Sequence, residues 1–295
     1  MDLLAVWAKR DPNSGLHHPL LWHLLDVFAT ALALWEQALA PSLKRQLAAA
    51  LGLPEDGAGR WLAFLAGLHD IGKASPPFQA KSPEGRASLL RAGLSFPPYA
   101  EPVRHELVTA AIARDYLCPL GLDRASAIAF ATAIGGHHGV FYKPERRDSL
   151  GRRSLGDDRW ESLRAALLER YQEAAGVGPG DAPRRDASHA HALVMMVAGL
   201  TTVSDWIGSA EESFPYSTEC VSERLYLQRA LLKTPVRGTG GHPIHQPRPA
   251  VKTSPLLLLP GAFRVPFFVA VLIFFGLICL SRGLGLSLGL NIPAF

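Results

Sequence analysis

Apolar positions recur at three- and four-residue spacing through most of the first 235 residues, the pattern of helices that bury one face. The pattern predicts a helix over 19–39, with Pro19 suited to its first turn, and another over 42–51 closed by Gly52 and Pro54. An apolar helix over 60–68 runs into His69, Asp70, Ile71 and Gly72. Residues 75–103 are rich in Pro, Gly and Ser and are expected to be mostly loop. Helical spacing returns over 105–117, 124–136, 160–175, 188–209 and 222–233. No alternating run of β-branched residues is long enough to predict a sheet, and there is no internal repeat. The expected fold is all-α.

Beyond Lys233 the pattern stops. Residues 236–260 read as a Pro/Gly/His-rich linker, and 261–295 as an apolar tail. The tail holds an uncharged run of 16 residues, 265–280, between Arg264 and Arg282. That is short of the roughly 20 residues of a spanning helix. A membrane anchor and a truncated or frame-shifted continuation are the two readings, and the abrupt change of composition favours the second.

Charge sharpens this division. The 295 residues carry a net +4, yet the last acidic residue is Glu223. Up to that point there are 22 basic and 26 acidic residues; the 72 residues beyond hold 8 basic ones and no acid. The basic balance belongs to the tail, which excludes a uniformly cationic sleeve for nucleic acid. At 48% hydrophobic and 19% charged, the chain is built to fold. Three scattered cysteines form no metal or disulfide pattern and fit a reducing, cytoplasmic location. The N-terminus does not read as a secretory signal.

Candidate chemistry lies in the histidines and aspartates. Of eleven histidines, His69 adjoins Asp70 at a helix end, His137 and His138 lie between Gly136 and Gly139, His23 lies in an apolar helix, and His105 begins a helix. Asp205 falls in an otherwise apolar helix, where a carboxylate needs a partner and a cation supplies one. Imidazole with carboxylate suits divalent transition metals. A single such histidine is more often an ordinary core or surface residue; the set together points to metal. The stretch 67–74 nearly spells a phosphate loop but fails at Ala74, and it follows a helix rather than a strand.

HLLDV at 23–27, GLHDIGKASPPFQ at 67–79, His105, GGHHG at 135–139 and SDWIGS at 204–209 together resemble the HD nuclease of type I CRISPR interference. The resemblance spans about 15–235 with its motifs in family order. It implies a helical HD-domain bundle over 1–235, with a C-terminal tail foreign to the family. It also implies two divalent ions (Fe, Mn, Ni, Co or Mg), the first held by His23, His69, Asp70 and Asp205. Asp70 would bridge to a second ion held by His105, His137 and His138, and Lys73 would contact phosphate or assist the leaving oxygen. For Lys73, a solvent-facing helix-end lysine is the plainer reading.

The implied substrate is single-stranded DNA, with Arg146, Arg147, Arg152 and Arg153 as candidate backbone contacts; a solvated loop is the competing reading of these arginines. Implied partners are an RNA-guided surveillance complex and a helicase from another chain or missing, since no helicase motif follows Lys233. His17, His18, His189, His191, His242 and His245 match no motif and are expected at the surface or in the linker. The rival functions are an HD phosphohydrolase acting on nucleotides or cyclic dinucleotides, and an inactive or membrane-tethered binding module.

Overall fold

The computed structural model describes residues 2–11, 13–98, 102–183 and 190–235. The expected linker, tail and membrane anchor lie outside these residues, as do His189, His242, His245 and the side chain of His191.

In chain order the elements are β1 (Trp7–Arg10), β2 (His17–Pro19), α1 (Leu20–Gln37), α2 (Pro41–Leu51) and α3 (Glu55–Gly67). A 3-10 turn, Leu68–Lys73, leads to α4 (Pro76–Gln79) and α5 (Pro83–Arg91). There follow α6 (His105–Leu117), α7 (Arg124–Gly135), α8 (Pro144–Asp148), α9 (Arg152–Leu155), α10 (Asp158–Ala175), α11 (Ala190–Gly208) and α12 (Glu223–Lys233). Among the described residues no helix is long and apolar enough to cross a membrane.

The centre of the bundle is α1. Its sequence is apolar on every side, so it can be stable in water only if surrounded, and α3, α11 and α12 surround it. The largest buried side chains, Trp22, Phe28, Trp61, Phe64, Phe130, Trp160 and Tyr171, pack along and around it. On one side α6 lies against α7 and against the 3-10 turn. Helix ends follow the local chemistry. Asp123 accepts from the Ser126 N–H to start α7, and Asp157 accepts from the Arg159 and Trp160 N–H groups to start α10. Gly52 closes α2 and Gly176 closes α10, both with left-handed backbone (φ +65° and +64°).

Three expectations change. A small antiparallel sheet exists: β1 pairs with β2, and the Leu20 N–H donates to the Val6 carbonyl at 2.6 Å. The Gln79 side chain extends this pairing, accepting from the Trp7 N–H (3.3 Å) and donating to the Trp7 carbonyl (2.8 Å). Strands of three and four residues are too short to show alternation. Second, 75–103 holds two short helices, α4 and α5, beside its loops. Pro76 and Pro83 sit in the first turns of α4 and α5, where proline fits, and Ser82 caps α5.

Third, His18 is buried rather than at the surface. Its Nε2 lies 2.8 Å from Asp26 Oδ2, and the Tyr226 hydroxyl donates to Asp26 Oδ1 at 3.0 Å. Burial raises the Asp26 pKa, with His18 and Tyr226 opposing that rise. The Tyr226 ring stacks on Trp22 at 4.3 Å, so this network fastens α12 to α1. Tyr226→Phe keeps the stack but strips Asp26 of a donor. The expected loss is about 1–3 kcal/mol, read as a lower urea midpoint; an unchanged midpoint would show that water replaces the hydroxyl.

Candidate metal centre

The His69–Asp70 pair sits in the 3-10 turn between two glycines that both face backbone. A side chain at Gly67 would lie 2.8 Å from the Leu24 carbonyl of α1, and one at Gly72 would lie 2.5 Å from the Thr109 nitrogen of α6. Only glycine lets the turn approach both helices this closely. Thr109 completes the attachment: its hydroxyl donates to the His69 carbonyl (2.7 Å) and accepts from the Gly72 N–H (2.9 Å). The dyad is thus held between α1 and α6.

Two groups of metal-ligating side chains meet there. His23 from α1, His69, Asp70 and Asp205 from α11 form one group; His105 from α6, with His137 and His138 just after α7, forms the other. Asp70 faces both. Its Oδ2 lies 3.0 Å from His23 Nε2 and 3.3 Å from His69 Nε2, while its Oδ1 lies 3.0 Å from His105 Nε2 and 3.9 Å from His137 Nε2. Asp205 Oδ1 closes the first group at 3.3 Å from His69 Nε2 and 3.6 Å from His23 Nε2. Lys73 belongs to the site as well, its Nζ 2.6 Å from Asp70 Oδ2. All seven candidate ligands and Lys73 therefore converge on one centre.

The ring nitrogens identify what the centre can hold. His23 Nε2, His69 Nε2, His105 Nε2, His137 Nε2 and Asp70 Oδ1 are buried and lack a hydrogen-bond partner. They lie near one another without hydrogen-bond alignment. Each such orphan costs about 1–3 kcal/mol. In His69 and His137 the other nitrogen is committed: Nδ1–H donates to the Ala66 carbonyl (2.9 Å) and the Ile134 carbonyl (2.6 Å), respectively. A carbonyl only accepts, so whenever these rings are neutral Nε2 is the lone pair, and it is aimed at the centre. Inward lone pairs beside carboxylates fit divalent cations.

The electrostatics of the metal-free centre differ from ring to ring. Burial disfavours charge on His23 and, with Lys9 nearby, brings its pKa down to about 4; burial with His69 nearby brings His137 down to about 3. At His69 burial works the same way, but Asp70 and Asp205 outweigh it and raise the ring to about 9. Burial opposes charge on the two aspartates too, yet His69 and its neighbours hold both carboxyls well below the usual range. The carboxylates thus stay ionised in a largely buried site.

Sequence reasoning missed Lys9, Thr109 and Glu106. Lys9 reaches from β1 to the Gly208 carbonyl (3.4 Å), and burial, then Lys73, lowers its pKa to about 8. No motif marks it, because the hairpin that carries it was not legible. Glu106 follows His105 directly, which was the available signal.

The four arginines separate. Arg146, Arg152 and Arg153 line a cleft of about 550 Å³ with Arg104 and Tyr142. Arg147 is 2% exposed, turned inward to donate to the Thr132 hydroxyl at 3.2 Å. A neighbouring hollow of about 870 Å³, walled by His105, Glu106, His138 and Lys81, shares Pro102, Val103 and Arg104 with that cleft. The metal centre therefore opens toward the arginines.

The family model described as "Cas3, HD domain" matches residues 7–214. The chain belongs to the Cas3 HD-domain family. It is 38% identical over 218 residues to the CRISPR-associated endonuclease/helicase Cas3 of Thermus thermophilus, an alignment that covers 73% of this chain and 23% of that relative. Among solved structures, the Thermus thermophilus Cas3 HD domain in the presence of Ni²⁺ superposes with a TM-score of 0.60 at 33% identity. That match covers 78% of this chain and 86% of the other. A chain of a CRISPR RNA-guided surveillance complex, pre-nicking, matches with a TM-score of 0.63 at 27% identity, covering 78% of this chain and 28% of that one. The chain thus spans about a quarter of the length of its full-length Cas3 relative. All seven candidate ligands of the Cas3 HD-type centre lie within the matched segment.

Proposed function

We propose that this chain is a metal-dependent nuclease that hydrolyses phosphodiester bonds of single-stranded DNA in type I CRISPR interference, using two divalent cations. The observation that carries this reading is Asp70, whose two oxygens face two separate histidine groups. His23, His69, Asp70 and Asp205 would hold one cation; His105, His137 and His138, with Asp70 shared, would hold the other. Bound there, the cations supply a polarised attacking water and neutralise charge on the attacking and leaving oxygens.

The chain's own residues do the remaining work. To bind a cation through Nε2, His69 would give up the proton that Asp70 and Asp205 favour on it, while the Nδ1–H groups of His69 and His137 stay anchored on carbonyls. Lys73, 2.6 Å from Asp70, would contact phosphate or assist the leaving oxygen. Arg146, Arg152 and Arg153 lie along the cleft that continues the site and would guide the strand by its phosphates. Arg147, committed to Thr132, contributes to packing instead.

The surveillance-complex neighbour supports a role downstream of RNA-guided recognition; a cytoplasmic location and foreign DNA as the target complete the proposal. The near-match to a phosphate loop directs its lysine to Asp70, so strand unwinding would rest on a helicase that this motif does not supply. The test is incubation of the full chain, loaded with Mn²⁺ or Ni²⁺, with circular single-stranded DNA. Cutting is expected, and closed circles exclude an exonuclease as its source. Intact circles alongside hydrolysed nucleoside phosphates or cyclic dinucleotides would overturn the proposal in favour of a small-molecule phosphohydrolase.

The cleft makes its own prediction. Arg146→Ala combined with Arg152→Ala is expected to weaken binding of single-stranded DNA by the metal-free chain at low salt. The slope of log affinity against log salt should shrink by roughly 0.7 per lost phosphate contact. Fluorescence anisotropy across a salt series measures both, and an unchanged slope would remove the arginines from the strand path.

A further inference from the structure

His105 is held differently from its partners. His69 and His137 are oriented by backbone carbonyls on Nδ1, whereas the polar group beside His105 Nδ1 is a carboxylate, Glu106 Oε2, at 3.4 Å. The Glu106 side chain is only 4% exposed, and Oε2 is buried with no hydrogen-bond partner. Its other oxygen, Oε1, accepts from Arg104 Nε (3.2 Å) and a terminal Arg104 nitrogen (2.6 Å), and lies 3.9 Å from His138 Nε2. Arg104 is 60% exposed. An ion pair with so exposed a partner contributes little by itself, and it does not account for a carboxylate whose second oxygen is turned inward without a donor.

We propose that Glu106 is the positioning residue of the second cation site, its Oε2 orienting His105 through Nδ1–H and its charge strengthening the hold of His105 and His138 on a divalent cation. The placement supports this through proximity and charge, Oε2 lying 3.4 Å from Nδ1. With Oε2 behind Nδ1, His105 Nε2 faces Asp70 Oδ1 at 3.0 Å. Arg104 fixes Oε1 on the outer side, which leaves Oε2 for the ring. Glu106 also lies in the first turn of α6, where the unpaired N–H groups favour a negative charge. A carboxylate behind a ligating imidazole raises the basicity of the ring and holds its orientation, and loss of such a group typically weakens metal affinity by about 10–100-fold.

This inference rests on the two-cation reading above, and the experiment separates the two. Mn²⁺ binding to the full chain is measured by titration calorimetry with metal analysis, beside thermal melting of the metal-free protein, for wild type, Glu106→Ala and Glu106→Gln. Two ions are expected on wild type. In Glu106→Ala one site should weaken by about 10–100-fold while the other keeps its affinity. Glu106→Gln retains an acceptor for Nδ1–H and should fall between wild type and alanine, with melting close to wild type. Fewer than two ions on wild type would sink the two-cation reading itself. Two ions on wild type with unchanged affinities in Glu106→Ala, equal weakening of both sites, or a glutamine variant no better than alanine would each overturn the positioning role alone.

Discussion

Asp70→Ala is expected to lower DNA cleavage by the full chain by about 10³-fold or more, equivalent to roughly 4 kcal/mol of transition-state stabilisation at 1.36 kcal/mol per tenfold. Among the described residues no other carboxylate lies beside both histidine groups: Asp205 meets only the first and Glu106 only the second. One oxygen lies 3.0 Å from His23 Nε2 and the other 3.0 Å from His105 Nε2. Removing His138 weakens one group; removing Asp70 removes the shared donor and the charge that draws both cations together. Metal content should fall in parallel. The fold should survive, because the turn is held by Thr109 and by the glycine contacts rather than by the Asp70 carboxylate. Asp70→Asn, which keeps the shape but not the charge, should also be inactive while retaining some metal. Cleavage of circular single-stranded DNA, metal analysis and circular dichroism measure the three effects. Undiminished cutting by Asp70→Ala would exclude this centre as the site of chemistry.

The second large effect comes from a residue with no functional group. Gly72→Ala places a methyl where it would overlap the His105 carbonyl oxygen and lie 2.5 Å from the Thr109 nitrogen. Both obstacles are backbone of α6, so no side chain can swing aside. The 3-10 turn must lift away, lengthening the paired hydrogen bonds of Thr109 to Gly72 and His69. A stability loss of about 3 kcal/mol is expected, at the upper end for inserting one methyl into a packed site. The melting temperature should fall by several degrees. Lifting the turn also parts Asp70 from His105, so cation binding on the His105 side should suffer more than on the His23 side. Wild-type melting in Gly72→Ala would show that turn and helix have room to spare. A low melting temperature with wild-type metal binding would show that the glycine serves only packing.

Much of the centre was legible because chemical identity is written locally. Histidine beside aspartate, paired histidines between glycines and an aspartate in an apolar helix are each odd in their own surroundings. Each oddity marked a residue that the fold carries to the centre. Helix α1 was legible as an apolar helix from its spacing, and its central place came only with the packing of α3, α11 and α12 around it.

The residues that were missed share the opposite property. Lys9, Thr109 and Glu106 look ordinary in their own segments and acquire meaning only from what lies across from them. His18 likewise matched no motif, and only the approach of Asp26, with Tyr226 from 200 positions away, makes it part of a buried network. Arg147 and Arg146 are adjacent in sequence, yet one packs on Thr132 and the other lines the cleft, a choice made by the face each presents from α8.

By itself, then, the sequence determined the helical character of the fold, a candidate donor set and the family that this set resembles. Periodicity and side-chain chemistry are local properties that survive in a one-dimensional reading. Only the tertiary structure decided that Asp70 turns one oxygen to each histidine group, and that Gly72 is required by the closeness of α6. It alone opened the centre toward some arginines and not Arg147. Those outcomes depend on distances between segments far apart in the chain, which are set by how α1, α6, α7 and α11 pack and not by any stretch of sequence alone.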